Sequence, residues 1–441
     1  MLYRPPLAPD FSVYACDLLP GCGNAPLEEE TETEVAIIGG GLLGVSTALH
    51  LAQSGVACAL LEKATLGAGA SGRNGGQLVP GLARWKAKDL QQTFPADEAR
   101  WLWSFAAMET MGLLTTLMEQ YRIDAEYRPG HLTAAVHPGH MQAPGQESAA
   151  RAALGDDSTR LIDARECGRY INASGYHGAL LDTLGGQIQP LKLLYGLWQG
   201  YQALGGRTYE HTPALSIEPE RRGYTITTPS GRLLARKAVV LAVHADTPTL
   251  LPAHRAVMLP LYTYLALTTP IPEGSHSLLP GGLAVYDTRV QIDYYRAYGE
   301  DRLLFGGLGT GRRMGNGAAA RRPGRRLRSV FPQCPQLRAA LCWSGRFDIT
   351  RSGMPVCTRS AGSSPLYAVH GWNGHGVGQS VRIGKAISDD VLGKNHDFTR
   401  LTRFRHSDFP LSFLPDSWLA GGGLAWSSAI NALNPQKMNS F

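Results

Sequence analysis

The residues of this chain best suited to chemistry on a ligand lie in glycine-rich clusters. The first reads Gly39-x-Gly41-x-x-Gly44 and leads, after an apolar stretch, to Glu62. Three glycines at this spacing suit a nucleotide. The first makes a tight turn, the second lets backbone approach a pyrophosphate, and the third lets a helix pack closely on a strand. An acid about 20 positions on is placed to bond a ribose hydroxyl, and it argues against a 2′-phosphate. The alternatives are glycines that serve packing alone, or the middle of a membrane helix, because Val35–Leu61 carries almost no charge.

The elements that must position these residues decide against a membrane span. Val35-Ala36-Ile37-Ile38 is a short β-branched run suited to a strand buried on both faces. Three consecutive glycines then make a poor helix interior and a good turn. From Leu42 to Ser54 apolar residues recur at helical spacing, and Gly55 ends the pattern. Ala57–Leu61 is a second buried strand with Glu62 and Lys63 at its end. The unit is β-α-β, and the helix N-terminus offers unpaired N–H groups to phosphates. A third strand, Ala238–Ala242, ends in small residues and His244, as a strand facing the same ligand would.

Two further clusters extend the picture. Gly67–Gly81, "GAGASGRNGGQLVPG", suits backbone lying against a large flat ligand, with Ser71 and Arg73 near phosphates, or else a mobile surface loop. Near the C-terminus, the strand Leu366–Val369 leads into "GWNGHGVG" (371–378) and a helical pattern ending at Gly393. His375 reads either as a contact to the ligand or as a satisfied turn histidine.

Bulk composition bounds the rest. With 441 residues the chain has room for two or three domain-sized units, and 44% hydrophobic with 18% charged residues is typical of a globular protein. A net charge of +6 is too mild to argue for nucleic acid. Seven cysteines without a CxxC pair point to a reduced, cytoplasmic chain, and the N-terminus lacks the charged-then-apolar pattern of a secretory signal. His131, His137 and His140 lack partners to complete a metal set and read as surface or loop histidines, so no metal is expected. The basic run Arg321–Ser329 reads as a solvated loop and helix start. The apolar "SWLAGGGLAWSSAI" near the C-terminus is too short to span a membrane and reads as a packed terminal helix or a partner contact. No nucleophile-elbow motif is visible.

The motifs together resemble the FAD-dependent superfamily of D-amino-acid oxidase, glycine oxidase and sarcosine oxidase, and within it the γ-glutamylputrescine oxidoreductase branch. They are "GGGLLG", "GASGRNGGQLV", "YRIDAEYRPGHL", "GALLDTLGGQIQPLKL", "DYYR", "RLLFGG", "WSGRFDITRSGMP" and "GWNGHGVGQSVRIGKAI", in the order the branch uses, over about residues 33–393. The resemblance implies an α/β fold: a discontinuous Rossmann-like FAD-binding domain (30–100, 175–250 and 360–400) and an α+β substrate domain (101–174 and 251–359) on a mostly antiparallel sheet. Residues 1–29 would be an N-terminal extension and 401–441 a C-terminal tail. Trp101–Tyr121 has helical periodicity, and Leu283–Asp301 and Leu303–Gly309 alternate like strands.

By the same resemblance, Gly39, Gly41, Gly44, Glu62 and Lys63 would hold the ADP end of FAD, with Ala214 at the adenine and Ala242 at a strand end. Ser71, Gly72, Arg73, Asn74, Gly75, Gly76 and Gln77 would line phosphate and flavin. Gly374, His375, Gly376 and Val377 would cover the flavin's pyrimidine edge, where a helix N-terminus stabilises negative charge on the reduced ring. The implied reaction removes a hydride equivalent from the carbon next to a neutral amine to flavin N5. The resulting imine is hydrolysed to a carbonyl compound and an amine or ammonia. Two departures narrow the expectation. Glycine oxidases carry a carboxylate-clamping arginine two places after the matching Trp-Ser-Gly, and here that position is Phe347, as in the γ-glutamylputrescine branch. Arg346, one residue off, would face the other way on a strand. Tyr294, Tyr295 and Arg296 are the next substrate-side candidates, or ordinary sheet residues. The position of the flavin-linking cysteine of sarcosine oxidases falls near Gly345, so non-covalent FAD is expected, with Cys342 and Cys357 close by. The oxygen-activating lysine of those oxidases has no counterpart in Leu303–Gly307, so the electron acceptor, oxygen or another, stays open. Alternatives are dealkylation of an N-alkyl amine, a D-amino acid dehydrogenase, or a flavin-binding protein that uses the basic run for a partner.

Overall fold

The computed structural model describes residues 12–17, 23–289, 291–314, 316–412 and 414–433. Most of the predicted extension before Ser12 lies outside the described residues, as do Cys22 and the chain after Leu433. The architecture is α/β and built on two sheets. In the first, the strands Leu366–His370, Arg232–Leu241, Glu30–Ile38, Cys58–Leu61 and Arg207–Tyr209 run parallel in that order. Val356–Arg359 closes one edge antiparallel. Both faces of the Glu30–Ile38 strand are covered from Val35 to Ile38, which is why its second half is continuously apolar. Val35 and Ile37 face the helices Leu42–Gln53, Pro190–Ala203 and Gly376–Val391, while Ala36 and Ile38 pack on the other face with Ile226 and Leu233.

The second sheet has nine strands, eight of them in the order Ala339–Thr350, Met258–Thr268, Arg302–Thr310, Asp293–Tyr298, Ala284–Asp287, Arg128–Ala134, Gly178–Gln187 and Gln77–Leu78. It is antiparallel except where Ala284–Asp287 meets Arg128–Ala134. Gly178–Gln187 hydrogen-bonds into this sheet, whereas the helix that follows, Pro190–Ala203, packs on the first. The chain therefore crosses between layers at Ile188 and Gln189. The 283–301 stretch holds two antiparallel strands, Ala284–Asp287 and Asp293–Tyr298. The helical 101–121 stretch contains a π turn at Ser104–Met108, just before Thr110 donates its hydroxyl to the Phe105 carbonyl at 2.9 Å. Such turns recur at functional sites.

Several expectations need correction. His131 and His140 are buried, not surface histidines. His131 sits on a central strand with Nε2 3.3 Å from Gln77 Oε1, and His140 Nδ1 lies 2.7 Å from the Thr288 hydroxyl. The basic run 321–329 lies wholly inside the helix Asn316–Val330, where Arg326 pairs with buried Asp293, rather than in a loop. The tail forms the helix Asp416–Leu433, whose Ala420 is buried against Leu259 and Leu261 of the second sheet. Among the described residues no helix is long and apolar enough to cross a membrane, and no cluster of three metal-ligating side chains occurs.

Candidate active site

The first cavity, about 820 Å³, opens at the C-terminal edge of the parallel sheet, where ligands bind in such folds. Its glycines are demanded by contact distances. Gly39 has φ +115°, and a Cβ there would lie 2.5 Å from the Ala242 carbonyl oxygen. A Cβ on Gly44 would lie 2.0 Å from the Gly39 oxygen, so this third glycine sets helix-to-strand packing and does not line the cavity. On Gly41 it would lie 2.9 Å from Ser71 Oγ, which accepts the Leu42 N–H at 3.0 Å. Glu62 accepts the Gly40 and Ala64 N–H groups, both at 2.8 Å, which leaves lone pairs for a further donor. Burial raises its pKa against those bonds. Lys63, Ala214 and Ala242 complete this end. Lys63 and Arg346 both pair with Asp246.

A second cavity, about 830 Å³, adjoins the first, and Arg73, Asn74, Phe347, Gly374 and Val377 wall both. Gly376 lines the first, while Gly75, Gln77, Tyr294 and His375 line the second. Gly374 has φ +92° and open space where a Cβ would go. Two helices start at these walls, after Gly41 and after His375, and neither is capped by its own N-cap side chain. Burial, with the charge of Lys86, pushes the His375 pKa down to about 3, so its imidazole is neutral.

Strand alternation sorts the DYYR candidates, and two of them do not reach either cavity. Tyr294 does: its ring packs where Gly75 and Gly306 leave room, and its hydroxyl lies 3.2 Å from that of Thr263. Tyr295 points to the opposite face, fully buried, stacked on Phe305 and donating to the Tyr176 hydroxyl at 2.9 Å. Arg296 is a brace beneath the 74–76 loop. It donates to the carbonyls of Gly75 (2.7 Å) and Ala297 (3.1 Å) and to the Tyr14 hydroxyl (3.2 Å). Tyr14 in turn donates to the Asn74 carbonyl at 2.8 Å, so the N-terminal segment also supports this loop. Gly72 and Gly76 likewise lie outside the cavity walls: a Cβ on Gly72 would meet the Gly67 oxygen at 2.4 Å, and one on Gly76 the Ile188 oxygen at 2.1 Å. Phe347 packs with Leu259, Leu261 and Leu419, away from the Asp246-bound guanidinium of Arg346.

Sequence reasoning missed three contributors to the second cavity. Leu419, Ala420 and Leu424 of the terminal helix form a wall, and Arg84 and Lys86 enter from the segment after Gly81. The apolar tail carried a signal for packing but none for its target. The two cations carried no signal beyond their charge. Behind the cavities, buried Asp348 ties the sheets together: it accepts from His244 (2.7 Å), the Gly371 N–H (2.8 Å) and the Trp372 N–H (3.2 Å). Against burial, the charge and hydrogen bond of His244, with His370 Nδ1 3.6 Å away, hold its carboxyl well below the usual carboxylate range.

Comparison with known proteins gives the class. Residues 34–389 match the DAO family of FAD dependent oxidoreductases, and the chain belongs to it. It is 31% identical to the γ-glutamylputrescine oxidoreductase of Escherichia coli over 87% of this chain and 89% of that one. It is 29% identical to a probable oxidoreductase OrdL of Rhizobium meliloti over 95% and 99%. The crystal structure of glycine oxidase from Geobacillus kaustophilus has the same fold, with a TM-score of 0.72 at 23% identity over 86% of this chain and all of that one. The protein is an FAD-dependent oxidoreductase that acts on amines or amino acids. Its residues fit that cofactor: the close-packed glycine turn and two helix starts without a bond from their own N-cap side chains lie along one pair of adjoining cavities.

Proposed function

We propose that the chain oxidises the C–N bond of an amine whose acidic group lies far from the reacting carbon, as in γ-glutamylputrescine. The observation that carries this reading is Phe347 at the cavity wall, where glycine oxidases would place a clamp for an α-carboxylate. In this reading Gly39, Gly41, Glu62, Lys63, Ser71, Ala214 and Ala242 hold the ADP end of FAD. Arg73, Asn74, Gly75, Gln77, Gly374, His375, Gly376 and Val377 hold the flavin end, and Gly44, Gly72, Gly76 and Arg296 shape the backbone beneath. Bound FAD supplies the two-electron acceptor. The chain's own groups select the neutral amine: among the described residues no Asp or Glu lines the second cavity, so an ammonium ion finds no counter-charge from them. Neutral His375 accepts or donates a hydrogen bond without adding charge. Tyr294 and Phe347 orient the carbon chain, and the terminal helix with Phe409 excludes water. Cys342 and Cys357 line neither cavity, and burial raises both thiols, Cys342 to about 12. Both observations support non-covalent FAD.

The test is anaerobic reduction of the purified flavoprotein by a panel of polyamines, γ-glutamyl polyamines, N-methyl amines and D-amino acids. Bleaching of the flavin band is expected first with γ-glutamylputrescine. Bleaching by D-amino acids or sarcosine alone would overturn the reading. Oxygen uptake with the active amine distinguishes an oxidase from a dehydrogenase.

A further inference from the structure

Among the described residues, five cationic side chains line the second cavity, Arg73, Arg84, Lys86, Arg346 and Arg351, and no carboxylate does. Three are accounted for within the fold. Arg346 pairs with Asp246. Arg73 donates to the Ala68 carbonyl at 2.7 Å. Arg351 is exposed at the rim and reaches the Asp408 carbonyl at 3.4 Å. Arg84 too is bonded within the fold: it is half-buried and donates to the Thr350 carbonyl at 3.3 Å. Lys86 is half-buried, and among the described residues its ammonium has no carboxylate partner.

The nearby acids are engaged elsewhere. Asp89 accepts the backbone N–H of Lys86 at 3.1 Å. Glu147 accepts the Ala87 and Lys88 N–H groups at 3.1 and 3.4 Å and pairs with Arg151 at 3.4 Å. The imidazoles within reach of the Lys86 charge, His375 and His131, are both held neutral, chiefly by burial. They neither neutralise an anion there nor compete with Lys86 for it. An unpaired, partly desolvated ammonium in a cavity wall is unfavourable unless an anion completes it.

We infer that Lys86, with Arg84 beside it, docks a carboxylate carried by the substrate at the end remote from the oxidised amine. This rests on the reading above and narrows it to acidic amines. It also separates two demands that conflict at a single point. The reacting nitrogen needs a wall without anions, and the substrate's acid group needs a cation. Lys86 comes from the segment that follows Gly81 and Tyr294 from a strand of the second sheet, so the cation and the uncharged wall are supplied by different elements. A charge-assisted hydrogen bond to a buried carboxylate is worth about 10- to 100-fold in binding.

The test compares the holoenzyme with Lys86→Met, Lys86→Arg and Lys86→Glu, each checked for flavin content and thermal melting. The substrates are γ-glutamylputrescine, N-glutarylputrescine and N-butanoylputrescine, the last differing from the glutaryl compound only in lacking the carboxylate. Expected is a fall of about 10- to 100-fold in the acid-to-neutral ratio of kcat/KM for Lys86→Met, carried by KM rather than kcat, as for uniform binding. Lys86→Arg should restore much of the ratio, and Lys86→Glu should invert the preference. An unchanged ratio in both Lys86→Met and Lys86→Glu would overturn the inference while leaving the amine oxidation standing. Calorimetric binding of glutarate, which is not oxidised, gives a readout independent of turnover. If no amine bleaches the flavin, the proposed function fails; weaker glutarate binding in Lys86→Met still supports the dock, and equal binding overturns it.

Discussion

The two ends of the ligand space are made of different material. The end at the parallel sheet is a backbone site: Gly39, Gly41, a helix start and Ser71, all within the 39–71 stretch, with Glu62 tied to two N–H groups of its own loops. The end at the antiparallel sheet is a side-chain site assembled from Lys86, Tyr294, Phe347, His375 and Leu419, which are far apart in the chain. A backbone site tolerates no Cβ but little depends on which side chains surround it. A side-chain site is retuned by single substitutions, because each wall residue is independently replaceable. This is how one cofactor end can serve many substrates.

The comparison is open to breakage at four points. The largest effect belongs to Gly44→Val. Its Cβ would meet a backbone oxygen at 2.0 Å, which cannot rotate away, so flavin-loaded protein should be lost altogether. Gly41→Val is the milder control: its Cβ meets the movable Ser71 Oγ, so overpacking of about 1–3 kcal/mol should weaken flavin retention but keep the fold. If Gly44→Val retains flavin on purification, the backbone description of this end is wrong.

Next comes Asp348→Ala, at the joint between the two sheets. Removing a buried carboxylate that serves His244 and two backbone N–H groups should cost about 3–5 kcal/mol in urea unfolding. A loss confined to activity would mean that the two ends are not mechanically joined there. The same carboxyl has its pKa depressed in the fold. Its contribution is therefore present above the ordinary carboxylate pKa and lost only in strong acid.

Third is Arg296→Met, which sharpens the line between brace and substrate contact. Losing the donor to the Gly75 carbonyl should cost about 1–3 kcal/mol and raise the flavin dissociation rate, with KM little changed. A selective rise in KM would return Arg296 to the substrate side.

The smallest effect is in the pH dependence. Burial pushes His131 down to about 4 and His375 to about 3 from an ordinary 6.5. The unfolded chain takes up protons near pH 6.5 and the folded chain does not. Stability from these groups is thus complete above pH 7 and declines as pH falls toward 4, by at most about 1.4 kcal/mol per pH unit for each. His131→Gln should flatten the fall in melting temperature between pH 6.5 and 4.5. An unchanged slope would mean that His131 is not kept neutral by the fold.

The degree to which each end was legible in the sequence follows the same division. The turn, helix and strand around Gly39–Glu62 were readable because Gly41, Gly44 and Glu62 meet Ser71, Gly39 and Gly40, all within a few tens of positions. The alternation of Asp293–Tyr298 was readable too, but not the face it presents. Tyr294 and Tyr295 are adjacent and chemically identical, and only the pairing with Arg302–Thr310 turns one toward the cavity and the other onto Phe305. Arg296 shares the face of Tyr294 yet folds as a brace, because the 74–76 loop and Tyr14 cover it. His131 read as a surface residue although it lies on a central strand.

By itself, then, the sequence determined the parallel β-α-β unit, its nucleotide-binding turn and the apolar residue at Phe347, since these depend on local spacing and residue type. The tertiary structure alone decided that Lys86, Tyr294, Phe347, His375 and the terminal helix share one cavity. Side chains on a strand alternate with period two, so a shift of one residue in register would turn Tyr294 and Phe347 away. That register is held by hydrogen bonds to strands remote in the chain, such as Met258–Thr268 with Ala339–Thr350.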